Sequence, residues 1–219
     1  MDSYLKKKKS HMRFDDFLSH IDTLKSSPLG GLEAQFKLAP KLRLKYDSDK
    51  IKANNPRRAA VLALFYPNDD NETTFLLTER ASYKGTHSAQ ISFPGGKIED
   101  QDPKLSDTAI REANEEVGII KEDIQIIREI TDVYIPPSNF LATPFIAYLN
   151  YKPSFIINQE VASTIEVLLS DLMDESNVDT ILMDTSYMKK IDVPCFRLNE
   201  HIVWGATGMM LSEIKEMLK

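Results

Sequence analysis

The stretch that most constrains this chain runs from Phe93 to Ile119 (FPGGKIEDQDPKLSDTAIREANEEVGI), where a Pro-Gly-Gly turn leads toward three closely spaced glutamates. Ala109, Ile110, Ala113 and Val117 recur at helical spacing and Gly118 stands where a left-handed C-terminal cap belongs, so residues 107–117 are expected to form a helix. At about 100° per residue, Glu112, Glu115 and Glu116 share the face opposite those apolar residues. Like charges at this spacing repel, weakly in solvent and more strongly in a cleft. Such a cluster is either spread into water or neutralised by cations.

A solvated acidic face is the ordinary reading of three acids in a helix. Here, however, no lysines alternate with them four residues on, and the Gly-Gly turn can bring backbone close to a ligand without interference from a Cβ. Hard carboxylate oxygens at this density suit Mg²⁺ or Mn²⁺, which in turn bind phosphate or diphosphate oxygens. Arg111, among the acids, can orient a carboxylate through its planar fork, which a lysine cannot do.

The rest of the chain supplies a frame. At 219 residues, 42% hydrophobic and 27% charged, it is long enough for one sizeable globular domain or two small ones. A net charge of −6 argues against a broad cationic face for nucleic acid or anionic lipid. Between Gly95 and Gly118 three cations stand against seven anions, so most of that excess is local. The single cysteine, Cys195, cannot close an internal disulfide and lacks zinc-site spacing, and no apolar run is of membrane-spanning or signal-peptide type. The expected setting is cytoplasmic, without nucleic-acid or membrane partners; whether the chain forms a homodimer is left open.

Residues 1–11 read as a tag or disordered leader, 12–55 as an N-terminal helix and arm, and 56–219 as one α/β domain. Phe14, Phe17, Leu18 and Ile21 predict one amphipathic helix over Met12–Leu24, and Leu32–Lys52 reads as a basic arm with limited regular structure. Ala59–Tyr66 and Thr73–Thr78 read as a strand hairpin around Pro67–Asn71. Gln90–Phe93, Ile124–Ile130, Thr131–Ile135, Pro144–Leu149 and Ile165–Leu169 read as extended, and Trp204–Leu218 as a closing helix.

The spacing of Gly96, Arg111-Glu112, Glu115-Glu116 and Gly118 resembles the Nudix signature, in which a Gly-rich turn precedes a helix ending Arg-Glu-x-x-Glu-Glu-x-Gly. Arg111 lies one residue further from Gly96 than in the general signature, and Asp102 takes the place of the mid-loop glutamate. Both departures are similar to the coenzyme A pyrophosphatase branch of that family. Leu76–Gly96 (LLTERASYKGTHSAQISFPGG) resembles the additional upstream motif of the same branch, with Ala89 where the family usually has glycine. Ala39–Arg43, Ser138–Phe145, Glu160-Val161 and Trp204–Thr207 are further echoes.

The resemblance implies a Nudix α/β/α sandwich with a mixed β-sheet and a central catalytic helix. It implies Mg²⁺- or Mn²⁺-dependent hydrolysis of coenzyme A and its derivatives to 4′-phosphopantetheine and adenosine 3′,5′-bisphosphate. Glu112 and Glu116 become the principal metal ligands, with Glu115 a further ligand or bridge and the Gly95 carbonyl an extra oxygen. The general base is either Glu112 or a later acid. Glu160 stands where a late loop acid is expected and is counted among the metal ligands, with an ordinary exposed glutamate as the equal alternative. Arg80, His87 and Lys97 are candidates for the anionic substrate, against a local hydrogen-bonding role for His87 and solvation for Lys97. Lys41 and Arg43 read as solvated, with a nucleotide 3′-phosphate as the alternative; Trp204 reads as packing or cleft wall. No Gly-x-Ser-x-Gly turn supports an acyl-enzyme route. Two rivals remain: a pyrophosphatase for ADP-ribose or another nucleoside diphosphate derivative, and a non-catalytic sensor on a Nudix scaffold.

Overall fold

A computed structural model of the chain describes residues 12–45, 47–81, 90–185 and 188–219. The leader Met1–His11 and the spacer containing His87 lie outside the described residues. In chain order the elements are α1 (Phe14–Ser19), α2 (Ile21–Ser26), α3 (Gly31–Phe36), α4 (Ser48–Ala53), β1 (Arg57–Pro67), β2 (Thr73–Arg80), β3 (Ile91–Ser92), β4 (Gly95–Lys97), α5 (Leu105–Val117), β5 (Gln125–Glu129), β6 (Val133–Ile135), β7 (Phe140–Tyr148), β8 (Val161–Leu168), α6 (Leu169–Met173), β9 (Val178–Thr185), β10 (Met188–Leu198), β11 (His201–Trp204) and α7 (Gly205–Met217).

The apolar run of β1 is continuous because the strand is buried on both faces. Ala60, Leu62, Leu64 and Tyr66 pack to one side, and Ala59, Ala63 and Phe65 to the other. β1 lies antiparallel to β2 and β4 and parallel to β7, from Arg57↔Phe140 to Phe65↔Tyr148. The sheet is therefore mixed, with path β3-β2-β1-β7-β5, β8 added beside β2 and β6 beside β7. On one face α5 buries Ala109, Ala113 and Val117 against β1. On the other face lie α1, α2 and α7, through Phe14, Phe17, Ile21, Leu24, Met209, Leu211 and Ile214. The result is an α/β/α arrangement with α5 alone over the middle of its face.

Several expectations need correction. The helix expected over Met12–Leu24 is two helices broken at His20; Phe14, Phe17, Ile21 and Leu24 are nevertheless all buried, so the apolar spacing runs through the break. Phe17 stacks on Phe65 at 5.0 Å between centroids, which places this segment in the same core as β1. The basic arm is more ordered than expected, holding α3, a 3₁₀ turn over Lys41–Lys45 and α4. Arg43 is buried and donates to the Tyr134 carbonyl, so it is neither solvated nor placed to meet a phosphate; Lys41 is exposed. Glu213 on α7, fully buried, clamps this arm: it accepts the Gly31 N–H at 3.0 Å, Gln35 Nε2 at 2.8 Å and the Thr131 hydroxyl at 2.7 Å. Finally, β9, β10 and β11 form a three-stranded antiparallel sheet that sequence patterning does not reveal. Trp204 ends β11 opposite Cys195 and is half-buried.

Candidate active site

The helix ends as its sequence requires. Gly118 takes φ 75° and donates its N–H to the Asn114 carbonyl at 2.9 Å, closing α5 with a left-handed cap. A side chain here would be strained by its backbone angle and would meet the Cβ of Ile156 at 3.0 Å. At the other end of the site the turn lies against the helix side chains. Gly95 donates its N–H to Glu116 Oε2 at 3.1 Å, and Gly96 leaves space that the Glu112 carboxylate fills.

Arg111 is nine-tenths buried and uses all five of its N–H donors within the chain. Nε and Nη2 grip Asp102 at 3.0 and 2.9 Å, Nη2 also reaches the Lys97 carbonyl at 3.1 Å, and Nη1 bonds Glu112 at 3.0 Å and Glu115 at 3.1 Å. The guanidinium thus ties the Gly-rich loop to the helix and sets the direction of two of the three glutamates. All of these partners belong to the loop and the helix themselves. Asp102 further accepts the Thr108 hydroxyl at 2.9 Å and the Glu99 N–H at 3.0 Å. Bonded foremost to Arg111, its carboxyl is held well below the usual carboxylate range. An aspartate, shorter than glutamate, spans the longer loop by chelating the guanidinium.

Burial dominates the two inner acids. It pushes the Glu116 carboxyl up to about 7, reinforced by the charges of Glu112 and Glu160 and opposed by the Gly95 N–H and Arg80. Burial also raises Glu112, which Arg111 opposes and the charges of Glu115 and Glu160 reinforce. Glu160, after a turn that follows β7, therefore belongs to the same electrostatic cluster although it is remote in sequence. Its carboxylate lies 3.5 Å from Nη2 of Arg80, the last residue of β2, and both side chains are more than half exposed. The arrangement is a half-buried pair, Glu112 and Glu116, with Glu115 on one flank and an exposed Arg80–Glu160 pair on the other.

The chemistry of this donor set suits a hard divalent cation. Burial foremost, and then the neighbouring carboxylate charges, raise Glu112 and Glu116, and positive charge beside them would relieve that repulsion. As they stand, Glu112 and Glu115 are both turned to Arg111, and among the described residues no three carboxylate, imidazole or thiolate groups converge on one point. Each gives Arg111 one oxygen, Oε1 of Glu112 and Oε2 of Glu115, and keeps its second oxygen for another partner.

Lys97 lies beside the site with an exposed side chain, and its carbonyl serves Arg111. His87 is outside the described residues. A cleft of about 370 Å³ flanks Arg111 and Glu115 and is also lined by Asp102, Asp107, Ile110 and Lys121. An apolar cavity of about 280 Å³ between the arm and β6, lined among others by Leu32, Phe36, Arg43, Ile51 and Met209, contains none of the candidate acids, nor Arg80, Lys97 or Arg111. Thr108 and Asn158 are the contributors that patterning misses. Asn158-Gln159-Glu160 could have been noticed, since asparagine often bonds the backbone two residues on.

The profile of the NUDIX domain matches residues 56–167, which include β1, the Gly-rich turn, α5 and Glu160. The chain is 30% identical over 162 residues to the peroxisomal coenzyme A diphosphatase ndx-8 of Caenorhabditis elegans, covering 73% of this chain and 68% of that protein. It is 29% identical over 169 residues to an uncharacterized Nudix hydrolase, NudL, of Photorhabdus laumondii, covering 76% of this chain and 88% of that one. Among solved structures, a MutT/nudix family protein from Enterococcus faecalis aligns with a TM-score of 0.50 at 13% identity, over 80% of this chain and 64% of that one, a likeness of fold alone.

Proposed function

The chain belongs to the Nudix hydrolase family, and we propose that its substrate is coenzyme A or a coenzyme A derivative, cleaved at the diphosphate to 4′-phosphopantetheine and adenosine 3′,5′-bisphosphate. One observation carries the substrate assignment: Arg80, from the upstream Leu-Leu-Thr-x-Arg stretch, lies at the mouth of the acidic cluster against Glu160. The likeness to a protein named as a coenzyme A diphosphatase supports the same reading.

In this reading Glu112, Glu116 and Glu115 hold Mg²⁺ or Mn²⁺, with the Gly95 carbonyl as a further oxygen. Such an ion supplies positive charge against the diphosphate oxygens and makes water more acidic. Arg111 keeps the glutamates aimed while staying off the substrate. Arg80 and Lys97, joined by His87, meet the outer oxygens of the anion. For the proton acceptor we choose Glu160 over Glu112, because Glu112 is half-buried and already bonded to Arg111, whereas Glu160 is exposed at the mouth. This assignment also takes Glu160 out of the ligand set. A cytoplasmic location, expected from the single cysteine, belongs to the same proposal.

The test is product identification. Coenzyme A incubated with the protein and Mg²⁺ or Mn²⁺ should give the two named products by mass spectrometry, and a chelator should stop their formation. Release of the 3′-phosphate with the diphosphate left intact would refute the assignment.

A further inference from the structure

Glu160 follows a stretch without regular secondary structure, residues 152–158, yet its backbone is fixed on both sides. Its N–H donates to Asn158 Oδ1 at 2.8 Å, and its carbonyl accepts the Ala81 N–H at 2.8 Å. Asn158 in turn donates its own N–H to the Glu116 carbonyl at 3.0 Å, and its carbonyl accepts the Val161 N–H at 3.4 Å. Two residues before it, the Ile156 N–H donates to the Val117 carbonyl at 3.0 Å. The stretch is thus laid along the carbonyl end of α5, and Asn158 is where it turns toward Glu160.

One residue therefore bonds, through its backbone, the glutamate whose carboxylate faces Gly95, and, through its side chain, the acid on the far flank. An irregular segment has no ladder to fix it, and a side-chain amide that closes a turn substitutes for one. Displacement of a reacting group by about 1 Å can cost on the order of a hundredfold in rate.

We propose that Asn158 is a positioning residue that holds Glu160 at a fixed distance from the Glu112–Glu116 pair. This rests on the choice of Glu160 as proton acceptor made above. Asn158 touches neither substrate nor cation in this account and acts only through Glu160.

The experiment combines amide hydrogen exchange with kinetics for Asn158→Ala and Asn158→Ser, each in the natural chain and with Glu160→Gln. In Asn158→Ala the Glu160 amide should exchange about tenfold faster or more, while the amides of residues 156 and 158 keep their protection by the helix carbonyls. The kcat should fall about tenfold or more, with KM and the thermal midpoint close to those of the natural chain. Asn158→Ser, whose hydroxyl can close the same turn, should recover part of both. With Glu160→Gln already present, Asn158→Ala should bring no further loss. An equal loss in both backgrounds, an unchanged kcat, or a fall in kcat that follows the thermal midpoint overturns the proposal. Should Glu160→Gln alone retain full kcat, the choice of acceptor fails first and takes this proposal with it.

Discussion

A Cβ added to Gly96 would lie 2.3 Å from Oε1 of Glu112, so the Gly-rich turn and the helix side chain already share the available space. Glycine is needed here for close approach rather than for backbone angle. The Glu112 carboxylate is the flexible end of a side chain and can be pushed aside. Gly96→Ala should therefore leave the thermal midpoint within a few degrees of the natural value and reduce hydrolysis about tenfold or more, because the carboxylate loses its place. A melting curve and kcat on the same preparation check this; undiminished activity would show that Glu112 need not occupy that position.

Arg111→Lys is expected to be costly although charge is conserved. Five donors in a fixed fork serve Asp102, Glu112, Glu115 and the Lys97 carbonyl, and a lysine has three donors on one atom. Losing two or more buried bonds predicts about 2 kcal/mol of destabilisation, read as a lower urea midpoint at unchanged slope, together with lower hydrolysis.

The depressed carboxyl of Asp102 makes stability depend on acid. Its folded-state value lies below the unfolded one, so its contribution is fully present above about pH 4 and fades as pH falls, when the unfolded chain takes up a proton that the folded chain resists. Asp102→Asn should be less stable than the natural chain at pH 6, and the gap should narrow as pH falls from about 4 to about 2. Urea midpoints across that range measure it. A gap that stays constant would mean that the Arg111 contact does not depend on the charge of Asp102.

Glu116→Gln should separate structure from chemistry. The Gln carbonyl can still accept the Gly95 N–H, and a neutral group relieves the burial of charge that raises this carboxyl to about 7. The thermal midpoint should hold or rise, while metal-dependent hydrolysis falls about a hundredfold or more. Full activity in this variant would remove the helix acids from the mechanism.

How much of this was legible in the sequence depends on which interactions leave a pattern. Helix α5, its Gly118 cap and the two-sided burial of β1 were readable because burial imposes period and run length. The helix–turn link was readable only through its resemblance to a family, since nothing in the spacing of Asp102 and Arg111 announces a chelate. Thr108 and Asn158 escaped because each acts through a single polar contact, which has no period. Strand β9 escaped because Asp179 and Asp184 fall on opposite faces and Val178 and Leu182 are exposed, so neither face reads as a core face. The break at His20 escaped for the opposite reason: the apolar spacing continues across it. The arm looked solvated because its charge hid a buried Arg43 and a clamp made from α7 by Glu213.

The central claim is that the acidic cluster, the Gly-rich turn and Arg80 together make a coenzyme A diphosphatase. The most direct measurement is kcat/KM for coenzyme A, dephospho-coenzyme A, ADP-ribose and NADH under one set of conditions with Mg²⁺ and with Mn²⁺. Coenzyme A should be turned over with the highest kcat/KM of the four. ADP-ribose or NADH exceeding coenzyme A by a wide margin would contradict it.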